Sequence, residues 1–142
     1  MTLANGAKEV IGVEINSDAV KDAKENARLN GIKNIKFYNE DAGNFMCEMA
    51  SKGISADVVV TDPPRAGCSM QFLRSLIALS PKRIVYISCN PETLARDLVT
   101  LTKNGYKVKK IQGVDMFPHT SHVESVVCLT RRLDNELRER VN

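Results

Sequence analysis

The fold is decided by residues 83–98, RIVYISCNPETLARDL. The first six residues, RIVYIS, form an apolar run rich in the branched and aromatic side chains that build strands. Asn90 follows as a helix N-cap and Pro91 suits the first helical position, so a helix begins at once. A strand passing directly into a helix leaves Cys89 on the open rim of a sheet. Two readings of that cysteine stand side by side. The positive end of the following helix would favour its thiolate and make it a nucleophile. Alternatively it is a small core residue, the commoner fate of cysteine and the one expected for Cys47, Cys68 and Cys128. A phosphatase-type loop is set aside, because it needs an arginine where Ala95 stands and Arg96 misses by one residue.

Working outward, strands and helices alternate. EVIGVEI (9–15) is a strand whose end carries Glu14, and NSDAVKDAKENARLNG (16–31) is a helix capped by Asn16 or Ser17 and stopped by Gly31. NIKFYN (34–39) is a strand, and EDAGNFMCEMASKG (40–53) a weaker helix. ADVVVTDPP (56–64) is a continuous apolar, β-branched run stopped by two prolines, the pattern of a central parallel strand. A helix over 69–79 precedes the 83–98 unit. YKVKKIQGVD (106–115) and HVESVVCLTRR (122–132) are joined by MFPHTS without a helix, which predicts an antiparallel hairpin at one edge. The tail LDNELRERVN (133–142) is charged and reads as a short helix or a frayed end.

This alternation predicts one α/β domain with a mostly parallel sheet. Ligands of such sheets sit beyond the carboxyl ends of the strands. The predicted strand ends are Glu14, Asn39-Glu40-Asp41, Asp62-Pro63-Pro64-Arg65 and Ser88-Cys89-Asn90-Pro91, all polar or reactive and all on one rim. Glu14 is placed to accept hydrogen bonds from a ribose, or is a solvated turn carboxylate. Asp41 is placed to hold an adenine amino group, or is a helix N-cap. The Pro63-Pro64 pair stiffens a loop around a flat ligand, or simply ends a strand. Glu124 interrupts the apolar strand HVESVV, either on a solvated edge or as a general base. His119 and His122 flank it as loop residues that order the site or touch a phosphate.

Composition narrows the classes without choosing among them. The chain has 142 residues, 43% hydrophobic and 26% charged, which suits a single packed domain. No apolar run approaches the ~20 residues that cross a membrane, and no apolar segment of a signal peptide opens the chain, so a cytoplasmic protein is expected. Four cysteines without a CxxC pair and two histidines make a metal site unexpected. A net charge of +3 permits a nucleic-acid partner but does not require one.

The segments DPPRAG, SCNPETLARDL and DMFPHTSHVESVV, in that order and spacing, resemble the S-adenosylmethionine-dependent RNA (uracil-5-)-methyltransferases over residues 8–131. The resemblance implies a Rossmann-like class I methyltransferase fold, with S-adenosyl-L-methionine as cofactor and ribosomal or transfer RNA as partner. It implies that Cys89 is the nucleophile that adds to uracil C6 and Glu124 the base that removes the C5 proton. It likewise gives Glu14, Asp41 and Asp62 to the cofactor, and Asp62, Arg65 and His119 to the substrate. The rim position would then give Cys89 access to a flipped base. The family carries a first strand with a glycine-rich loop that does not occur here, so residues 1–142 are expected to form the C-terminal part of a catalytic domain. That strand would lie between EVIGVEI and ADVVVTD, leaving two unpaired edges that either pair directly or make an intermolecular contact. Two alternatives follow: a non-catalytic remnant or interaction module that retains the motifs, and an exocyclic-amine methyltransferase. The latter would not need Cys89 with Glu124 and usually has an aromatic residue where Arg65 stands.

Overall fold

A computed structural model describes residues 2–116, 118–120 and 123–132. The predicted tail (133–142) and His122 lie outside the described residues. After a 3-10 turn over Thr2–Gly6, the elements are β1 (Val10–Glu14), α1 (Ser17–Leu29), β2 (Ile35–Asn39), α2 (Ala42–Ser51), β3 (Val58–Thr61), α3 (Met70–Leu79), β4 (Arg83–Ser88), α4 (Pro91–Lys103), β5 (Tyr106–Val114) and β6 (Glu124–Arg131). Each strand and helix predicted between residues 9 and 132 is present. The helix starts follow the capping chemistry of the sequence. Asn16 accepts from the amides of Asp18 and Ala19, Asp41 from Asn44, Ser69 from Phe72 and Asn90 from Glu92.

The strands form two sheets. β1 and β2 pair in parallel, and the other four run in the order β3-β4-β6-β5. β3 and β4 are parallel, and β6 is antiparallel to both β4 and β5. β6 is therefore the one reversed strand of the larger sheet, and the closing hairpin lies at its edge as expected. Among the described residues, direct pairing across the expected gap does not occur: β1 and β3 belong to different sheets, and each keeps an unpaired edge.

The core lies on one face of the larger sheet. Ile84 pairs with Leu129 and Tyr86 with Val127, and all four are buried against Leu73, Leu76, Leu79, Leu94 and Leu101 of α3 and α4. Met46 of α2 joins this cluster. The opposite face carries Val85, Ile87, Val126 and Cys128, which remain half-buried. The apolar run of β3 predicts burial on both sides, yet Val58 and Val60 are 47% and 39% exposed. β3 is an edge strand here, and among the described residues no helix covers that side.

Gly12 of β1 shows how closely the smaller sheet packs. A Cβ at this position would lie 2.6 Å from the ring of Phe37, its partner on β2, so the glycine makes room for an aromatic cross-strand neighbour.

Two buried phenols make the core sensitive to base. Burial pushes Tyr86 up, reinforced by its hydrogen bonds to Asp97 and Cys68, and burial likewise raises Tyr106. A raised acid holds its proton in the folded state, so its contribution is complete below the unfolded value near 10.0 and is lost as the pH rises beyond it. The expected result is a midpoint of thermal unfolding that stays flat to about pH 9 and then falls. Tyr86→Phe should fall less steeply. A midpoint that climbs above pH 9 would contradict this account of the core.

Candidate active site

Cys89 follows β4 and is half-buried. The Ser88 hydroxyl donates to the Asn90 carbonyl at 2.9 Å and accepts from the Asn90 amide at 3.0 Å, which closes a tight local turn around the cysteine. Asn90 then caps α4 with its side-chain oxygen, and Pro91 opens the first turn. The strand-to-helix switch read from the sequence is thus built by two short polar side chains.

A cavity of about 430 Å³ opens at this strand end, lined by Cys89, Asp62 and Glu124 together with Ile87, Val114, Met116 and Val126. Glu124 is the first residue of β6, opposite Val114, and the adjacent Ser125 pairs with Ser88. That register carries the carboxylate from the far end of the chain to the cysteine. Asp62 enters from the loop after β3, which is parallel to β4 and ends beside it. Three predicted residues therefore share one pocket. Its apolar wall, Val114 and Met116, was not singled out in the sequence. The available signal was their position at the end of β5, leading into the turn before Glu124.

The loop that carries Asp62 is strapped to α4. The Arg65 carbonyl accepts from Asn90 Nδ2 at 3.2 Å and from Thr93 Oγ1 at 3.1 Å. The Arg65 side chain and His119 are not among the lining residues of the pocket. His119 lies in the β5–β6 turn with a left-handed φ of 68°. Farther along the loop, Cys68 is 8% exposed, with its thiol 3.4 Å from the Tyr86 hydroxyl. Its burial fits the core reading given to it, and the loss of solvent pushes the thiol up. Cys47, by contrast, is exposed.

Glu14 and Asp41 stand at the end of the smaller sheet. Glu14 pairs with Asn39, whose side-chain amide donates to the carbonyls of Glu14 and Ile15 at 3.0 and 2.8 Å. One oxygen of each carboxylate is committed locally: Glu14 Oε1 accepts from the Asn16 amide and Asp41 Oδ1 from the Asn44 amide, both at 2.8 Å. The cap reading of Asp41 is thus realised. Each carboxylate still has a second oxygen with which to meet a ligand. A larger groove of about 660 Å³ runs between α1 and β2 and holds none of the predicted site residues. Its basic rim is partly neutralised, since Lys36 pairs with Glu9 and Arg28 with Glu25. Cys89, Asp62 and Glu124 line the smaller pocket instead.

Among the described residues, no group of three or more His, Cys, Asp or Glu side chains could hold a metal ion, and no helix is long and apolar enough to cross a membrane.

The α/β fold is that of the class I methyltransferases, and solved methyltransferases share it. The profile of the tRNA (Uracil-5-)-methyltransferase family matches residues 1–132, and the chain belongs to that family. An uncharacterized RNA methyltransferase of Oceanobacillus iheyensis is 50% identical over 133 residues, 94% of this chain and 29% of that relative. A second, from Halalkalibacterium halodurans, is 52% identical over 127 residues, 89% of this chain and 28% of its own length. The chain thus spans under a third of these curated relatives. Among solved structures, a Pyrococcus abyssi tRNA (uracil-54, C5)-methyltransferase in complex with S-adenosyl-L-homocysteine is 36% identical with a TM-score of 0.75, over 90% of this chain and 30% of that one. A putative S-adenosylmethionine-dependent methyltransferase of Streptococcus mutans, 12% identical with a TM-score of 0.71 over 88% of this chain and 39% of its own, shares the fold.

The contrast between Cys68 and Cys47 can be measured. A raised thiol presents less thiolate at a given pH, and burial hinders the reagent as well. At pH 8, iodoacetamide should modify Cys68 at least about tenfold more slowly than Cys47 in the folded chain. Equal rates would show that the 62–68 loop does not pack as described.

Proposed function

We propose that this chain carries the reacting part of an S-adenosyl-L-methionine-dependent methyltransferase acting on uracil C5 in ribosomal or transfer RNA. One observation carries the reading: Cys89, Asp62 and Glu124 line a single pocket at the strand ends. Membership of the tRNA (Uracil-5-)-methyltransferase family supports reading the pocket as one that acts on uracil. Uracil C5 is too weak a nucleophile to accept a methyl group unaided. Cys89 Sγ adds to C6, forming a C–S bond and raising electron density at C5. S-adenosyl-L-methionine, when bound, supplies the methyl group. Glu124 then takes the C5 proton, the C6–S bond breaks, the ring double bond re-forms and the thiolate is returned. Asp62 faces the same pocket and would hydrogen-bond the base. The apolar wall of Val114 and Met116 suits a flat pyrimidine drawn out of its stack.

The cofactor fits the polar strand ends. Glu14 would accept from the ribose hydroxyls and Asp41 from the adenine amino group, each through the oxygen not used locally. Arg65 and His119, on loops at the same end, would meet the RNA. A second reading, a non-catalytic interaction module, is favoured by the split sheet, because Glu14 belongs to β1 and Cys89 follows β4 without strand pairing between the halves. The free edges of β1 and β3 are also where a second copy would pair.

Calorimetric titration of S-adenosylhomocysteine separates the two readings. Binding that Glu14→Ala abolishes supports the enzyme, and a folded chain that does not bind supports the module. In a longer protein that methylates uridine-containing RNA, Cys89→Ala should remove activity. Glu124→Gln should slow it by about 10²- to 10⁴-fold, the usual worth of a general base. Full activity in either variant would refute the assignment.

A further inference from the structure

We infer that Asp97 is a positioning residue: its carboxylate, assisted by Arg96, clamps the 62–68 loop to α4 and so fixes Asp62 relative to Cys89. The functional meaning of the clamp rests on the reading of the pocket given above, while its geometry is independent of that reading.

Asp97 is a fully buried acid on α4, at 0% exposure. A buried carboxylate is costly unless donors surround it. Here the donors come from three separate elements. The Cys68 amide of the loop donates to Oδ2 at 2.7 Å, the Tyr86 hydroxyl of β4 to the same oxygen at 2.6 Å, and Arg96 Nε of α4 to Oδ1 at 2.9 Å. Arg96 also reaches over the loop and donates through Nη2 to the carbonyls of Ala66 at 2.9 Å and Cys68 at 3.1 Å. With the bonds of Asn90 and Thr93 to the Arg65 carbonyl, consecutive turns of one helix hold consecutive peptides of the loop.

Gly67 records how tightly they meet. Its φ is +75°, and a Cβ there would lie 2.6 Å from Arg96 Nη2, 2.8 Å from Asp97 Oδ2 and 3.0 Å from Thr93 Cβ. The loop backbone therefore rests directly on the clamp. Asp62 leaves β3 at one end of this loop, and Cys89 immediately precedes the helix that carries the clamp. The same helix thus sets the position of both reacting-site groups. A leucine at 97 would fill space in the core, but it could not accept from the loop, the strand and Arg96 together.

Asp97→Asn in the 142-residue chain tests this without RNA or cofactor. Losing a charged acceptor should speed hydrogen exchange in the 65–68 peptide by about tenfold or more, the worth of one hydrogen bond to a charged group. Exchange in β4 and β6 should stay as in the unaltered chain. Alkylation of Cys68 should rise relative to Cys128 by about the same factor. Alkylation of Cys89 relative to Cys128 should change as well, because the loop that carries Asp62 is no longer fixed beside it. A uniform rise across β4, β6 and all thiols, or an unchanged loop, overturns the proposal. Should Asp97→Asn fail to fold, Arg96→Gln serves, since the Arg96 side chain is 55% exposed yet still makes the bonds to Ala66 and Cys68. Selective loosening of 65–68 is again expected, and its absence again overturns the proposal. A loop that responds as described in a protein that methylates no uridine would sink the reaction assignment and leave the clamp standing.

Discussion

Everything in the larger sheet depends on β4 being paired along both edges. β3 holds one edge in parallel and β6 the other in antiparallel register. This central place buries Ile84 and Tyr86 against α3 and α4. It also aligns the end of β3, the end of β4 and the start of β6. Asp62 and Glu124 are 62 residues apart in sequence (62 to 124), with Cys89 between them, but all three share one pocket because of that register. A slip of one residue in the β4–β6 ladder would turn Glu124 to the helix-covered face and carry the pocket residues of β6 away from Cys89.

The two faces of β4 have different duties. The helix-covered face is a largely apolar layer, and its Tyr86–Asp97 contact joins it to the loop. The other face leads from half-buried Val85 to Ile87 in the pocket. Stability and reactivity thus draw on alternate side chains of one strand. Changes at Ile84 or Tyr86 act on the core, whereas changes at Ile87 act on the pocket.

Much of this was legible in the sequence because the signals are local. Asn90-Pro91 after an apolar run pairs a favoured N-cap with a favoured first helical residue, and MFPHTS is too short to hold a crossover, so the hairpin followed. Asp62 and Cys89 could be placed on one rim because each follows a strand, whereas Glu124, read as interrupting the strand 122–132, joined them only through the family resemblance. Exposure was harder to read. The run VVV predicts a strand buried on both sides, but burial depends on what else packs there, and β3 lies at an edge with Val58 and Val60 exposed. Asp97 was invisible for a related reason. Within ETLARDL it looks like an ordinary solvated helix position beside Arg96, and only the arrival of the loop from residues 62–68 makes it a buried acceptor.

The most direct test is covalent. Intact-mass analysis would follow the Glu124→Gln protein, in a chain competent to bind cofactor, after incubation with S-adenosylmethionine and a uridine-containing RNA. Without the base, the methylated ring should remain attached, so the account expects a species heavier by the RNA plus one methyl group. Peptide mapping should locate that added mass on Cys89. RNA that turns over normally without an adduct, or an adduct mapped to Cys47, Cys68 or Cys128, would contradict the assignment of the β4 cysteine as the nucleophile.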